Sequence, residues 1–183
     1  MQEEKKEKFG DGFRNGIDAM FLIANIHATC LTPFLRCNFG TNVPGITGVV
    51  ALLLLVVTVA GSNDPAMAAY LMFWLSALMY QRARAHRLVS RGWRAHSQYG
   101  GRPWLAQLFL IEKTEDRAKN LEPLLCLFLG GFLCAVSATV GFFVMLGLVS
   151  LSIVRGIQME VIRRQVTAMQ DLEIEQRAFS QRV

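Results

Sequence analysis

Charge is absent from three long stretches of this 183-residue chain. No Asp, Glu, Lys or Arg occurs between Cys37 and Asn63, between Pro65 and Gln81, or between Pro123 and Val154. With 52% hydrophobic residues and a mean hydropathy of +0.33, gaps of this length exclude an ordinary soluble domain and point to an integral membrane protein. Asp64 is the one charged residue set among these apolar blocks. Cysteine is scarce, with Cys30 and Cys37 in the first third and Cys126 and Cys134 in the last apolar block. The latter pair lies eight residues apart, about 12 Å along a helix, which excludes a disulfide between them. His27 with Cys30 and Cys37 matches no structural zinc spacing, so no metal and no cofactor is expected. The polar, charged stretch Met1–Asp11 lacks the apolar core of a secretory signal, and insertion is expected to use the first true span.

What is present is a strongly partitioned set of basic residues. Five of the 19 Lys and Arg fall up to Arg36, nine from Arg82 to Lys119 and five from Arg155 onward. If each apolar block is a helical hairpin, all of them sit on one side of the membrane, as the enrichment of Lys and Arg in cytoplasmic loops requires. The net charge of +5 and pI near 9.3 are then explained by anionic lipid headgroups. Nucleic acid is not needed to account for them.

The expected fold is an all-α integral membrane protein with four transmembrane helices in two hairpins, an N-terminal amphipathic helix and a C-terminal cytoplasmic helix. Residues 1–43 form a cytoplasmic and interfacial segment, in which Phe13–Leu35 is an amphipathic helix ending before Pro33. The rival reading makes Ile17–Leu35 a fifth span, against which Asp18 and His27 argue. Residues 44–81 form the first hairpin, turning at Gly61–Pro65 with Asp64 as N-cap and Pro65 as first helical residue. Residues 82–121 form a basic cytoplasmic connector. Residues 122–155 form the second hairpin, since one straight helix over Pro123–Val154 would measure about 48 Å. Its break is expected near Ser137–Gly141. Residues 156–183 form a cytoplasmic amphipathic helix.

Three groups of side chains carry functional character. Arg84, Arg87, Arg91 and Arg94 recur at helical spacing, and Trp93, Tyr99 and Trp104 follow in a loop rich in Gly and Pro; together they are expected to contact lipid headgroups or a partner. Met159, Ile162, Val166, Met169 and Leu172 form an apolar stripe expected to meet a partner helix. Gly130, Gly131 and Ala135 offer a close helix approach.

These features imply a small polytopic subunit or scaffold of a larger bacterial inner-membrane assembly, with both termini cytoplasmic and no enzymatic activity. Its expected partners are the anionic bilayer and other membrane subunits or further copies of itself. A pore or transporter subunit active only as an oligomer is the first alternative, weakened by the lack of a charge within the apolar spans. A membrane enzyme at the cytoplasmic face is the second. It would need His96 to converge with Glu112, Glu115 or Asp116.

Overall fold

A computed structural model describes residues 2–39, 45–92, 100–110 and 115–180. The elements are α1 (Gln2–Leu35), α2 (Gly45–Ser62), α3 (Pro65–Ser90), α4 (Trp104–Leu110), α5 (Glu115–Leu133), α6 (Ala138–Met145) and α7 (Gly147–Ser180). Among the described residues there is no strand beyond one isolated bridge, Cys37 to Arg102.

Three stretches are long and apolar enough to cross a membrane: Gly16–Leu35, Gly45–Ser62 and Ala138–Arg177. Of the four arms expected to cross, α2 and the α6–α7 unit therefore qualify, whereas α3 and α5 do not. In α5 only eleven residues run from Pro123 to Leu133 inclusive. That apolar stretch is about 16 Å long, roughly half of a hydrocarbon core.

The first stretch corrects the interfacial reading of Phe13–Leu35. Ala24, Ala28, Cys30, Leu31 and Leu35 are all buried, so the second half of α1 belongs to the core of the bundle. Pro33 does not end the helix either. A proline inside a helix deprives the carbonyl four residues back of its donor, here Thr29. The indole N–H of Trp74 donates to that carbonyl at 3.3 Å, and the Thr32 hydroxyl does so at 3.3 Å. With the freed acceptor satisfied from α3, the helix runs on to Leu35. The Tyr70 hydroxyl donates in the same way to the Cys30 carbonyl, at 2.9 Å.

α2 is apolar all round, which fits a helix surrounded by lipid and neighbours rather than water. Ala51 and Leu55 face the core, while Ile46, Val49, Leu53 and Val57 face outward. The turn into α3 is local chemistry. Asn63 takes φ of 50°, a left-handed conformation that Asn tolerates, and the Asp64 side chain accepts the Ala66 N–H at 2.9 Å. Pro65 then starts α3 without wasting a donor.

The last apolar block reverses direction after Leu133, through a turn at Cys134–Val136. Ser137 caps α6 by accepting the Val140 N–H at 3.2 Å. The returning chain packs on α5 at three glycines. A Cβ at Gly130 would meet the Met145 nitrogen at 2.7 Å and the Gly141 carbonyl at 2.8 Å. One at Gly141 would meet the Cys134 nitrogen at 2.6 Å, and one at Gly147 would meet Cys126 Cβ at 3.2 Å. Gly131 has nothing within 4 Å, and Ala135 is exposed in the turn. Of the three small residues expected at the crossing, only Gly130 is there, because the reversal begins one turn earlier than the spacing suggests. Gly141 and Gly147 complete it.

Candidate functional site at the two ends of the bundle

The described residues bring buried polar groups together at one end of the helices. Arg36 leaves α1, and Glu122 sits in the second turn of α5, one residue ahead of the apolar block. The guanidinium Nε donates to both Glu122 oxygens at 2.9 Å, and Nη2 donates to Oε2 at 2.5 Å. Side-chain exposure is 12% for Arg36 and 1% for Glu122. A carboxylate so enclosed is tolerated because the planar fork of Arg meets both of its oxygens. The two sides of the pair are tied further: Gln81 of α3 donates to the Arg36 carbonyl at 3.1 Å, and Arg36 Nη1 donates to the Gly100 carbonyl at 3.4 Å.

The segment from Gly100 to Trp104 is strapped over the same end. Cys37 and Arg102 exchange backbone hydrogen bonds at 2.9 and 2.6 Å. Gly101 adopts φ of +83°, where a Cβ would also meet the Cys37 carbonyl at 3.0 Å, so only glycine suits the crossing. The Trp104 indole donates to the Phe34 carbonyl at 3.1 Å, an acceptor left open where α1 ends. Burial pushes the Cys37 thiol up, with Arg84 and Arg102 pulling the other way. Gln81 Oε1 and Asn38 Oδ1 are buried without a partner at this end.

Beside the strap, α3 continues past its apolar stretch. Tyr80, Ala83, Arg84, Arg87, Leu88 and Arg91 line a cleft of about 320 Å³. Arg84 is half-buried; Arg87 and Arg91 are exposed. Trp93, Arg94 and Tyr99 lie outside the described residues, as do His96 and Glu112, so the catalytic convergence considered for His96 has no described geometry. Glu115 is paired with Lys119 at 2.6 Å along α5.

At the opposite end the two turns meet. The Ser137 hydroxyl donates to Asp64 Oδ2 at 2.5 Å while Asp64 also caps α3. Each cap residue thus holds its own helix and the other turn. The Ser137 hydroxyl, then the Ala66 N–H and Thr139, hold the Asp64 carboxyl below the usual range. The seventeen residues from Asp64 to Gln81 put the two polar ends about 26 Å apart along α3.

Between the ends, His27 Nδ1 and the Ser150 hydroxyl are 2.8 Å apart, and the imidazole lies edge-on to Phe143 at 4.7 Å. Phe143 and Tyr70 continue this aromatic contact at 5.7 Å. Cys30 Sγ instead donates to the Ala51 carbonyl at 3.6 Å, so His27 and Cys30 are engaged separately. Among the described residues no group of three metal-ligating side chains occurs. An apolar groove of about 880 Å³ between α1, α2 and α7 includes His27 and Ser150 in its lining, with Met20, Leu53, Val57 and Val149. No charged residue lines it.

The stripe on α7 stands clear of the bundle. Met159, Ile162, Val166, Met169 and Leu172 are 45–62% exposed, and every residue from 161 to 177 is exposed. Glu160–Arg164 at 2.9 Å and Glu173–Arg177 at 2.6 Å brace the helix four residues apart. The Arg36–Glu122 pair is not anticipated from the sequence. The available signal was that each residue directly borders an apolar segment. No family model, no curated protein and no solved structure matches the chain.

Proposed function

We propose that this chain is a small multi-pass subunit or scaffold of a bacterial inner-membrane assembly, and that the projecting part of α7 is its docking element. The observation that carries this reading is the apolar stripe from Met159 to Leu172, on a helix whose residues 161–177 are all exposed among the described residues. An isolated helix of this length is marginal in water, so such a stripe implies a covering surface. Covering it is worth roughly 1.5–3 kcal/mol for each large side chain fully buried.

The arrangement in the membrane follows from charge and core. The connector 82–121 and the C-terminus lie in the cytoplasm, where the basic residues concentrate. The α2–α3 and α5–α7 hairpins are embedded between them and the Asp64–Ser137 end. α1 shares the core and has its C-terminal end on the connector side, so it crosses and carries the N-terminus to the opposite face. This replaces the cytoplasmic N-terminus expected from charge counting alone. In a cysteine-free background, new thiols at Gln2, Asn63 and Thr139 should react with an impermeant reagent applied outside, while Gln98 and Gln181 should not. External labelling of Gln181 would overturn the arrangement.

The docking role is tested by Ile162→Asp with Val166→Asp, which keeps the helix length and removes the apolar surface. Insertion and detergent-extracted stability should be unchanged, because both side chains are exposed. Stoichiometric partners or oligomers recovered from native membrane with the wild-type chain should be lost. Assembly at wild-type stoichiometry would make the tail a solvated appendage.

A further inference from the structure

The basic residues on α3 are more than a topological signal. We propose that Tyr80, Arg84, Arg87 and Arg91 form a discrete site for the phosphate of one acidic phospholipid of the surrounding bilayer. The inference rests on the reading that α3 is embedded in the membrane, and it adds a defined ligand to that reading.

Depth is the first argument. The charge-free part of α3 ends at Gln81, and the cleft of about 320 Å³ begins at Tyr80 and extends two to three turns further, to Arg91. A phosphate seated there lies at headgroup level, with its acyl chains directed back along Met72, Phe73 and Met79, which are exposed on the apolar part of the same helix. Tyr80, also exposed, has the amphipathic ring that favours this boundary.

Charge is the second. Among the described residues no Asp or Glu lies within ion-pair distance of Arg84, Arg87 or Arg91. The nearby carboxylate Glu122 is fully engaged by Arg36. Three guanidinium groups at one-turn spacing, one half-buried and none paired with a carboxylate among the described residues, repel one another unless an anion lies between them. Arg supplies forked donors that match phosphate oxygens, whereas fixing orientation needs only charge.

Shape is the third. Leu88 and Ala83 give the cleft an apolar wall between the Arg side chains, so a phosphate there is partly shielded from water and its ion pairs are less screened than on an open surface.

The experiment uses the full-length protein, extracted in mild detergent and analysed by native mass spectrometry after exposure to phosphatidylglycerol or phosphatidylcholine. Wild type should retain one phosphatidylglycerol and not phosphatidylcholine. Arg84→Gln with Arg87→Gln should weaken retention about 30-fold, from about one kcal/mol for each charge removed. Arg84→Lys with Arg87→Lys should recover only part of it. The charge-matched control is Arg82→Gln with Arg163→Gln, whose side chains lie outside the cleft. An equal loss in that control would show diffuse attraction and overturn the site. Displacement of the lipid by inorganic phosphate at equal concentration would also overturn it, by showing a site for free anion. Membrane insertion of each variant, read by resistance to alkaline extraction, reports separately on the embedded reading of α3. Failure of retention with insertion intact rejects the lipid site alone.

Discussion

Replacing Glu122 by Leu is expected to destabilise the folded protein by about 3–5 kcal/mol, the largest effect of any single substitution at the polar end. The substitution leaves the guanidinium of Arg36 enclosed at 12% exposure with, among the described residues, only the Gly100 carbonyl to accept from it. Arg36→Met should cost a comparable amount, by leaving the Glu122 carboxylate unpaired at 1% exposure. The double variant, Arg36→Met with Glu122→Leu, should recover most of the loss. A buried pair costs much of its attraction in desolvation, and apolar groups of similar size do without both terms. Thermal unfolding in a single detergent would measure all three. Losses that simply add in the double variant would mean that the two side chains act independently and that the ion pair is not the unit of stability.

The second large effect is expected at the glycine crossing. Gly141→Val should cost about 3 kcal/mol, at the upper end of overpacking effects. The added Cβ would fall 2.6 Å from the Cys134 nitrogen and 2.7 Å from its Cα, and backbone atoms cannot rotate away. The helices must therefore separate, which opens the contact between α5 and α6. Gly131→Ala is the matched control. With nothing within 4 Å of its Cβ position, it should be neutral or slightly stabilising, since Ala favours a helix over Gly. Equal destabilisation at both positions would mean that Gly141 matters through helix propensity and not through close approach. In lipid the distinction is informative, because helices there associate by packing and not by the hydrophobic effect.

Much of the architecture was legible because it is written in residues whose behaviour is local. Asp64 and Pro65 specify a helix start whatever surrounds them, and the charge-free blocks specify an apolar environment. The chain reversal inside Pro123–Val154 followed from length alone. The role of α1 was illegible for the opposite reason. Asp18, Asn25, His27 and Pro33 look like interruptions when α1 is considered by itself. His27 and Pro33 lose that character through contacts with residues far along the chain: Ser150 engages His27, and Trp74 supplies the Thr29 carbonyl that Pro33 leaves open. The same limit hid Glu122, whose partner is 86 residues away. Of the candidate residues, the Arg face and the α7 stripe were readable from helical spacing. Which glycines touch was not, since that depends on where the turn places two helices against each other.

The Thr29 carbonyl carries a consequence for the order in which the protein is made. α1 is made well before Trp74 exists, and until α3 arrives that carbonyl has only the Thr32 hydroxyl of its own helix among the two donors described for it. One of the two donors that answer Pro33 thus comes from a helix made later, so α1 alone is held less firmly than α1 in the bundle. Its full set of contacts waits for α3, and the contact at Arg36 waits longer still, for Glu122. α1 therefore completes its contacts late, and a chain interrupted before residue 122 leaves Arg36 without the carboxylate that seats it.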